Sequence, residues 1–188
     1  LNRSTICRMI AVHCFWTCIL KDLISFQTES GKSNLELINY CELKLKKSGA
    51  SSLKTFNNSK TQANLFSTIK GENPDEIGIV LSGHTDVVPA VPSEWTSDPY
   101  LLREEDDKLY GRGTCDMKGF IACTLAVAPL FASSKLKKPI HFSYTFDEET
   151  GCLGAPLVLA DLKKRNLNLS TCIIGEPTNM KAITAHKG

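Results

Sequence analysis

The sequence lacks most of the signatures that would have assigned it a chemistry at sight. No uninterrupted apolar run approaches the ~18 residues that a helical membrane span needs, so no membrane partner is expected. There is no G-x-x-x-x-G-K-[ST], which excludes a phosphate-cradling Walker loop. Gly111 and Gly113 are followed by Gly119, a spacing that breaks a dinucleotide-binding fingerprint. The G-x-S-x-G elbow of a serine hydrolase is missing. The eight cysteines contain no C-x-x-C pair, which argues against a zinc finger or a thioredoxin-like site. Net charge is also nearly absent. The 22 Lys/Arg and 20 Asp/Glu leave +2, so no general attraction to nucleic acid follows.

What is present is an ordinary globular mixture, with 42% hydrophobic and 22% charged residues in a chain of 188. That suits one domain or a large part of one. The chain is too rich in core residues to need a disulfide framework. Cys123 and Cys172 sit among apolar neighbours and are expected as small core hydrophobes. A reducing, cytoplasmic compartment fits this cysteine usage. Up to Gly71 the charge is +6 (ten basic, four acidic residues), and from Glu72 onward it is −4 (twelve basic, sixteen acidic). At the N-terminus Arg3 and Arg8 precede an apolar stretch from Met9 to Leu20. His13 and Trp16 interrupt it and no small-residue cleavage site follows. Residues 1–18 are expected to form a leader and residues 19–188 the domain.

A short helix is expected over residues 19–26. A second begins at Ser33, where Ser33 and Glu36 match a capping box. Leu35, Ile38, Cys41 and Leu45 then share one face, and Gly49 suits the left-handed position past the helix end. Residues 62–70 make a plausible strand, followed by a turn from Gly71 to Asp75. Ile77–Leu81, Ile140–Phe146 and Thr171–Ile174 are short, apolar and rich in β-branched or aromatic residues. The first and third have the composition of strands buried on both faces. Helical stretches lie between them, at roughly 116–131 and 152–166, and Pro129 should kink or end the first. Strands alternating with helices predict an α/β fold: a mixed, largely parallel sheet flanked by helices.

The chemistry lies just after the strands. IGIVL is followed by His84 and Asp86, IHFSYTF by Asp147, Glu148 and Glu149, and TCII by Glu176. Asp116 closes a Gly-Arg-Gly-Thr-Cys-Asp run before a helix. In open α/β sheets, ligands bind at the carboxyl ends of the strands. One imidazole and several carboxylates therefore converge on the edge where sites form. Crowded carboxylates resist ionising together, and a divalent cation removes that conflict. A His/Asp/Glu donor set suits zinc or a similar first-row metal, and a shared carboxylate would make a two-metal hydrolytic site. Asp86 is placed to orient the His84 imidazole from behind. Taken singly, each motif is an ordinary turn, charged helix start or loop; their coincidence at corresponding strand ends is what points to a site. Cys115 as an activated thiolate at a helix N-terminus is the rival, and it leaves the acidic cluster unexplained.

The runs SGHTDVVP, WTSDPY, LYGRGTCDMKGF, DEETGCLGA and GEPTNM…AHKG together resemble the acetylornithine deacetylase family, within the dinuclear zinc deacylase and carboxypeptidase superfamily. The resemblance runs from about Ile19 to Gly188. It implies a zinc-peptidase-like catalytic domain and two divalent ions, zinc or cobalt. His84 and Glu176 would ligate one ion, Glu149 the other, and Asp116 both. Glu148 would be the general base, with Asp86 behind His84. The implied substrate is a small N-acyl amino acid, with acetate and ornithine as products of arginine biosynthesis. A homodimer is expected for full-length members. A further histidine ligand, a lid and dimerisation domain and a closing catalytic segment are expected downstream of Gly188. His186 is expected in the strand leading to that lid, and His141 is expected to be structural. Succinyl-diaminopimelate desuccinylase and aminoacylase are the related alternatives. A non-catalytic fragment of a split or decayed gene is the alternative of another class.

Overall fold

The computed structural model describes residues 15–73, 77–167 and 169–184. Expectations that rest on His13, on the turn through Asp75 and on His186 lie outside these residues.

Residues 15–25 form the first helix, α1, which runs through residue 18, where the leader was expected to end. Ile19, Leu20, Leu23 and Ile24 are buried along one stripe of it. The second helix, α2, spans Leu35–Lys47 and buries Leu37, Ile38, Cys41 and Leu45. The capping box does not form: Asn34 holds the N-cap position without a side-chain cap bond, and Ser33 Oγ only accepts the Leu35 N–H at 3.4 Å. The reason is tertiary. The Asn34 amide oxygen accepts the Ala63 N–H at 2.9 Å, and its Nδ2 donates to the Ala63 carbonyl at 2.9 Å and to Thr85 Oγ1 at 2.8 Å. Helix α2 therefore starts from a residue already fixed to a strand. Its end follows expectation. Gly49 has φ +78°, its N–H reaches the Lys46 carbonyl at 2.9 Å, and the Ala50 N–H reaches Leu45 at 3.1 Å. That pair is a Schellman motif, which needs a residue free to adopt the left-handed conformation.

Among the described residues seven strands follow: β1 (Ser51–Phe56), β2 (Ala63–Ile69), β3 (Gly78–His84), β4 (Arg103–Glu105), β5 (Lys108–Tyr110), β6 (Ile140–Thr145) and β7 (Leu169–Ile174). Two more helices, α3 (Lys118–Ala132) and α4 (Ala155–Lys164), lie before and after β6. Pro129 sits in the last turn of α3, which ends at Ala132. Strands β4 and β5 form a separate antiparallel hairpin. The main sheet has the order β1-β2-β6-β3-β7. Its β1-β2 and β2-β6 pairs are antiparallel, and β6-β3 and β3-β7 are parallel. The fold is thus the expected mixed α/β sheet flanked by helices.

The alternation of β2 and β6 divides the layers. Ala63, Leu65, Ile69, Phe142 and Tyr144 join the core made by α1, α2 and α3. Phe66, on the other face, packs with Val158 and Leu162 of α4. Strands β3 and β7 were both expected to be buried on both faces, yet Ile79 of β3 is 39% exposed, and β7 departs further. It is exposed along almost its whole length, with Ile173 at 47% and Ile174 at 61%. It is the outermost strand, and the helices pack chiefly on β1, β2, β3 and β6. Cys172 is exposed with it, and Cys123 is exposed on α3; neither is a core residue. Cys41 is the buried thiol among the described cysteines.

Candidate metal centre

The parallel pairs bring three strand ends together. His84 is the last residue of β3, Glu148 and Glu149 follow β6, and Glu176 follows β7. Asp116 arrives from the turn before α3. His84 Nε2 lies 2.9 Å from Asp116 Oδ1, 3.6 Å from Glu176 Oε1 and 3.9 Å from Glu148 Oε2. Glu149 joins the same cluster: ligand atoms of His84, Asp116 and Glu149 lie within 4.8 Å of one another, as do those of His84, Glu148 and Glu176. The five expected ligand and base residues, His84, Asp116, Glu148, Glu149 and Glu176, therefore meet at one place.

His84 is buried, at 2% side-chain exposure, whereas Asp116 is 48% exposed. The His84 Nδ1 lies 2.9 Å from the Asp86 carbonyl oxygen. A carbonyl can only accept, so Nδ1 is the donor there, and Nε2 is the ring atom turned toward the carboxylates. The Asp86 carboxylate is 3.5 Å from Nδ1 and has other partners. It accepts the Glu148 N–H at 3.0 Å, the Glu149 N–H at 3.2 Å and the Ser30 hydroxyl at 2.7 Å. Asp86 thus ties the β3 end to the turn that carries both glutamates. Asp147, at φ +50°, is held in the left-handed region by its own carboxylate, which accepts from Gly31 N–H at 2.7 Å and Gln62 Nε2 at 2.8 Å.

The electrostatics describe a cluster with too much negative charge. Burial and the neighbouring Asp116 push the Glu149 carboxyl above its usual range. Burial, then repulsion from Asp116 and Glu148, pushes Glu176 up to about 7. Burial alone would lower the His84 imidazole, but Asp86, with Glu176 and Asp116, more than reverses this and raises it to about 9. Burial also opposes ionisation of Asp86, yet His84, the Ser30 hydroxyl and the Glu148 amide hold it below the usual carboxylate range. An imidazole nitrogen set among carboxylates that resist ionising together is the donor set a divalent cation satisfies. The residues present fit such an ion.

Other predicted or rival residues stand apart. His141 is buried, meets Thr68 Oγ1 through Nδ1 at 2.9 Å and stacks on Phe66, which is a structural role. Cys115 is exposed in the turn before α3 and belongs to neither ligand group. Sequence reasoning missed Ser30, which lies 56 residues from its partner Asp86 and carries no local signal. It also missed Cys152, whose thiol donates to Glu148 Oε1 at 3.6 Å.

The chain is 45% identical to the acetylornithine deacetylase of Yersinia pseudotuberculosis over 128 residues, and 44% identical to that of Salmonella typhimurium over 125. Each match takes in 66% of this chain and 32% of the relative, so the chain spans about a third of the length of the curated relatives it matches. An M20 family metallo-carboxypeptidase from Sulfolobus solfataricus superposes with a TM-score of 0.73 at 22% identity, over 85% of this chain and 37% of that one. Human carnosine dipeptidase 1 does so at 0.69 and 24%, with the same coverage. At these identities the structural likeness establishes the fold. The model of peptidase family M20/M25/M40 matches residues 80–186, from within β3 past Glu176, and the chain belongs to that family.

Proposed function

We propose that this chain is the N-terminal part of the catalytic domain of a metal-dependent amide hydrolase that releases acetate and ornithine from N-acetylornithine. The observation that carries the hydrolytic reading is the convergence of His84, Asp116, Glu148, Glu149 and Glu176 into two ligand groups that share His84. The substrate rests on the two named relatives. The lid, the dimer contact and the remaining histidine ligand belong, on this proposal, to the part of those relatives that the chain does not span.

His84 and Glu176 would hold one divalent ion, zinc in the first instance, Glu149 a second, and Asp116 both. Bound there, the ions supply Lewis acidity toward the amide carbonyl and lower the pKa of water. Glu148 is the general base: its carboxylate takes a proton from the attacking water and returns it to the leaving amine. The two amide hydrogen bonds from Glu148 and Glu149 to Asp86 keep base and ligand in register.

The test uses the chain in its full-length context, with zinc or cobalt and N-acetylornithine, measuring released acetate and bound metal. Glu148→Gln should keep its metal and lose turnover, and Glu149→Ala should lose metal. Full activity in Glu148→Gln removes that residue as the base. Metal binding without deacetylation of any N-acyl amino acid by the parent protein sinks the substrate assignment.

A further inference from the structure

Lys118 is a lysine with 0% exposure, and nothing in the hydrolytic proposal uses it. It lies two residues after Asp116, at the start of α3. Its backbone N–H donates to the Gly113 carbonyl at 2.8 Å, closing the turn that carries Asp116. Its side chain then runs back beneath that turn: a Cβ on Gly113 would stand 3.2 Å from Lys118 Cδ. The ammonium ends between two carbonyls at the C-terminal end of α1, donating to Leu23 at 3.0 Å and Phe26 at 2.7 Å. Carbonyls at a helix C-terminus lack intrahelical partners and carry the negative end of its dipole, so a cation suits them. The start of α1 is tied to α3 as well, through Trp16 Nε1 and the Gly119 carbonyl at 3.3 Å.

Packing alone does not account for this residue. A buried charge is costly, and a Met or Leu would fill the same space without that cost. What the ammonium adds is a directional link, fixed at both ends, between α1 and the backbone of the Asp116 turn. The Asp116 side chain is half exposed, so its own burial does not place it.

We propose that Lys118 is the positioning residue of the metal centre: anchored on the Leu23 and Phe26 carbonyls, it sets the start of α3 and thereby the position of the Asp116 carboxylate against His84. The assignment rests on the metal-centre reading above.

The test is a Co(II) titration of the full chain followed by visible absorption, which reports coordination directly and needs no turnover. Folding and thermal stability are recorded on the same samples. Lys118→Met should bind Co(II) about 10- to 100-fold more weakly, the range for residues that orient a ligand, with an altered visible spectrum. Lys118→Arg keeps a cation and its donors and should recover most of the affinity and the parent spectrum. Ile38→Ala, in the core away from the site, should lower thermal stability yet leave the spectrum unchanged. A folded Lys118→Met with parent affinity and spectrum overturns the proposal. So does an Ile38→Ala spectrum altered in the same way. If Lys118→Met does not fold, Lys118→Arg decides: the parent spectrum supports the assignment, and the spectrum of Asp116→Asn in a folded Lys118→Arg refutes it. Failure of the parent chain to bind Co(II) at all sinks the metal-centre reading itself, and this assignment with it.

Discussion

The inner strands β6 and β3 and the outer strand β7 are all short, apolar and parallel to one another, yet their surroundings differ. On β6, Phe142 and Tyr144 are fully buried; β3 is intermediate, with Val80 3% and Ile79 39% exposed. On β7, Ile173 and Ile174 are largely exposed. At the site the contrast is confined to His84, whose side chain is 2% exposed; Glu148 after β6 is 39% exposed and Glu176 after β7 35%. Composition does not separate these strands; their neighbours do. An apolar strand is buried only if its sheet continues beyond it and a helix covers its face. The half of the metal centre that follows β3 and β6 is carried by strands paired on both sides, and the β7 half hangs from a single strand pairing.

Four measurements would break or sharpen this contrast. The largest effect is expected at the centre of the sheet. Phe142→Ala should cost about 3–5 kcal/mol in chemical denaturation, because a buried ring leaves a cavity that its neighbours fill only in part. A loss below about 1 kcal/mol would show that β6 is not a core strand. Zinc at a hundredfold excess over its dissociation constant should stabilise the parent by about 2.7 kcal/mol, and a chelator should reverse the gain. Absence of any zinc-dependent shift in the melting temperature would leave the strand ends without a metal role.

Smaller effects follow. Asp86→Ala leaves the Glu148 and Glu149 amides without their acceptor and should cost about 1–3 kcal/mol, with zinc affinity falling in the same variant. Unchanged stability and affinity would mean the turn after β6 is held by something else. Ile174→Ala should lie within about 0.5 kcal/mol of the parent, since an exposed side chain leaves no cavity. A cost like that of Phe142→Ala would show that β7 is covered in solution.

The local signals were sound where the chain answers to its own neighbours. The α2 face at Ile38, Cys41 and Leu45, the Gly49 terminus and the strands around Leu65, Val80 and Phe142 follow from periodicity and turn chemistry alone. The capping box failed because Asn34 spends its side chain on Ala63, 29 residues away. Cys123 and Cys172 failed because apolar neighbours in sequence do not say which face of a helix or strand is covered. Lys118 carried a weak signal: it falls at the spacing of the buried residues Ile121, Ala122 and Leu125, where a lysine is out of place.

For the site, the sequence alone determined the donor types and their placement after strands, because motif spacing and strand composition are local properties. That sufficed to name His84, Asp86, Asp116, Glu148, Glu149 and Glu176 as one group. Only the tertiary structure decided how they are held. The order β6-β3-β7 brings three strand ends side by side, and hydrogen bonds from Ser30 to Asp86 and from Lys118 to Leu23 and Phe26 cross 56 to 95 residues. Such contacts exist only once the sheet has assembled, since what fixes them is the meeting of distant backbone groups, and no local pattern records it.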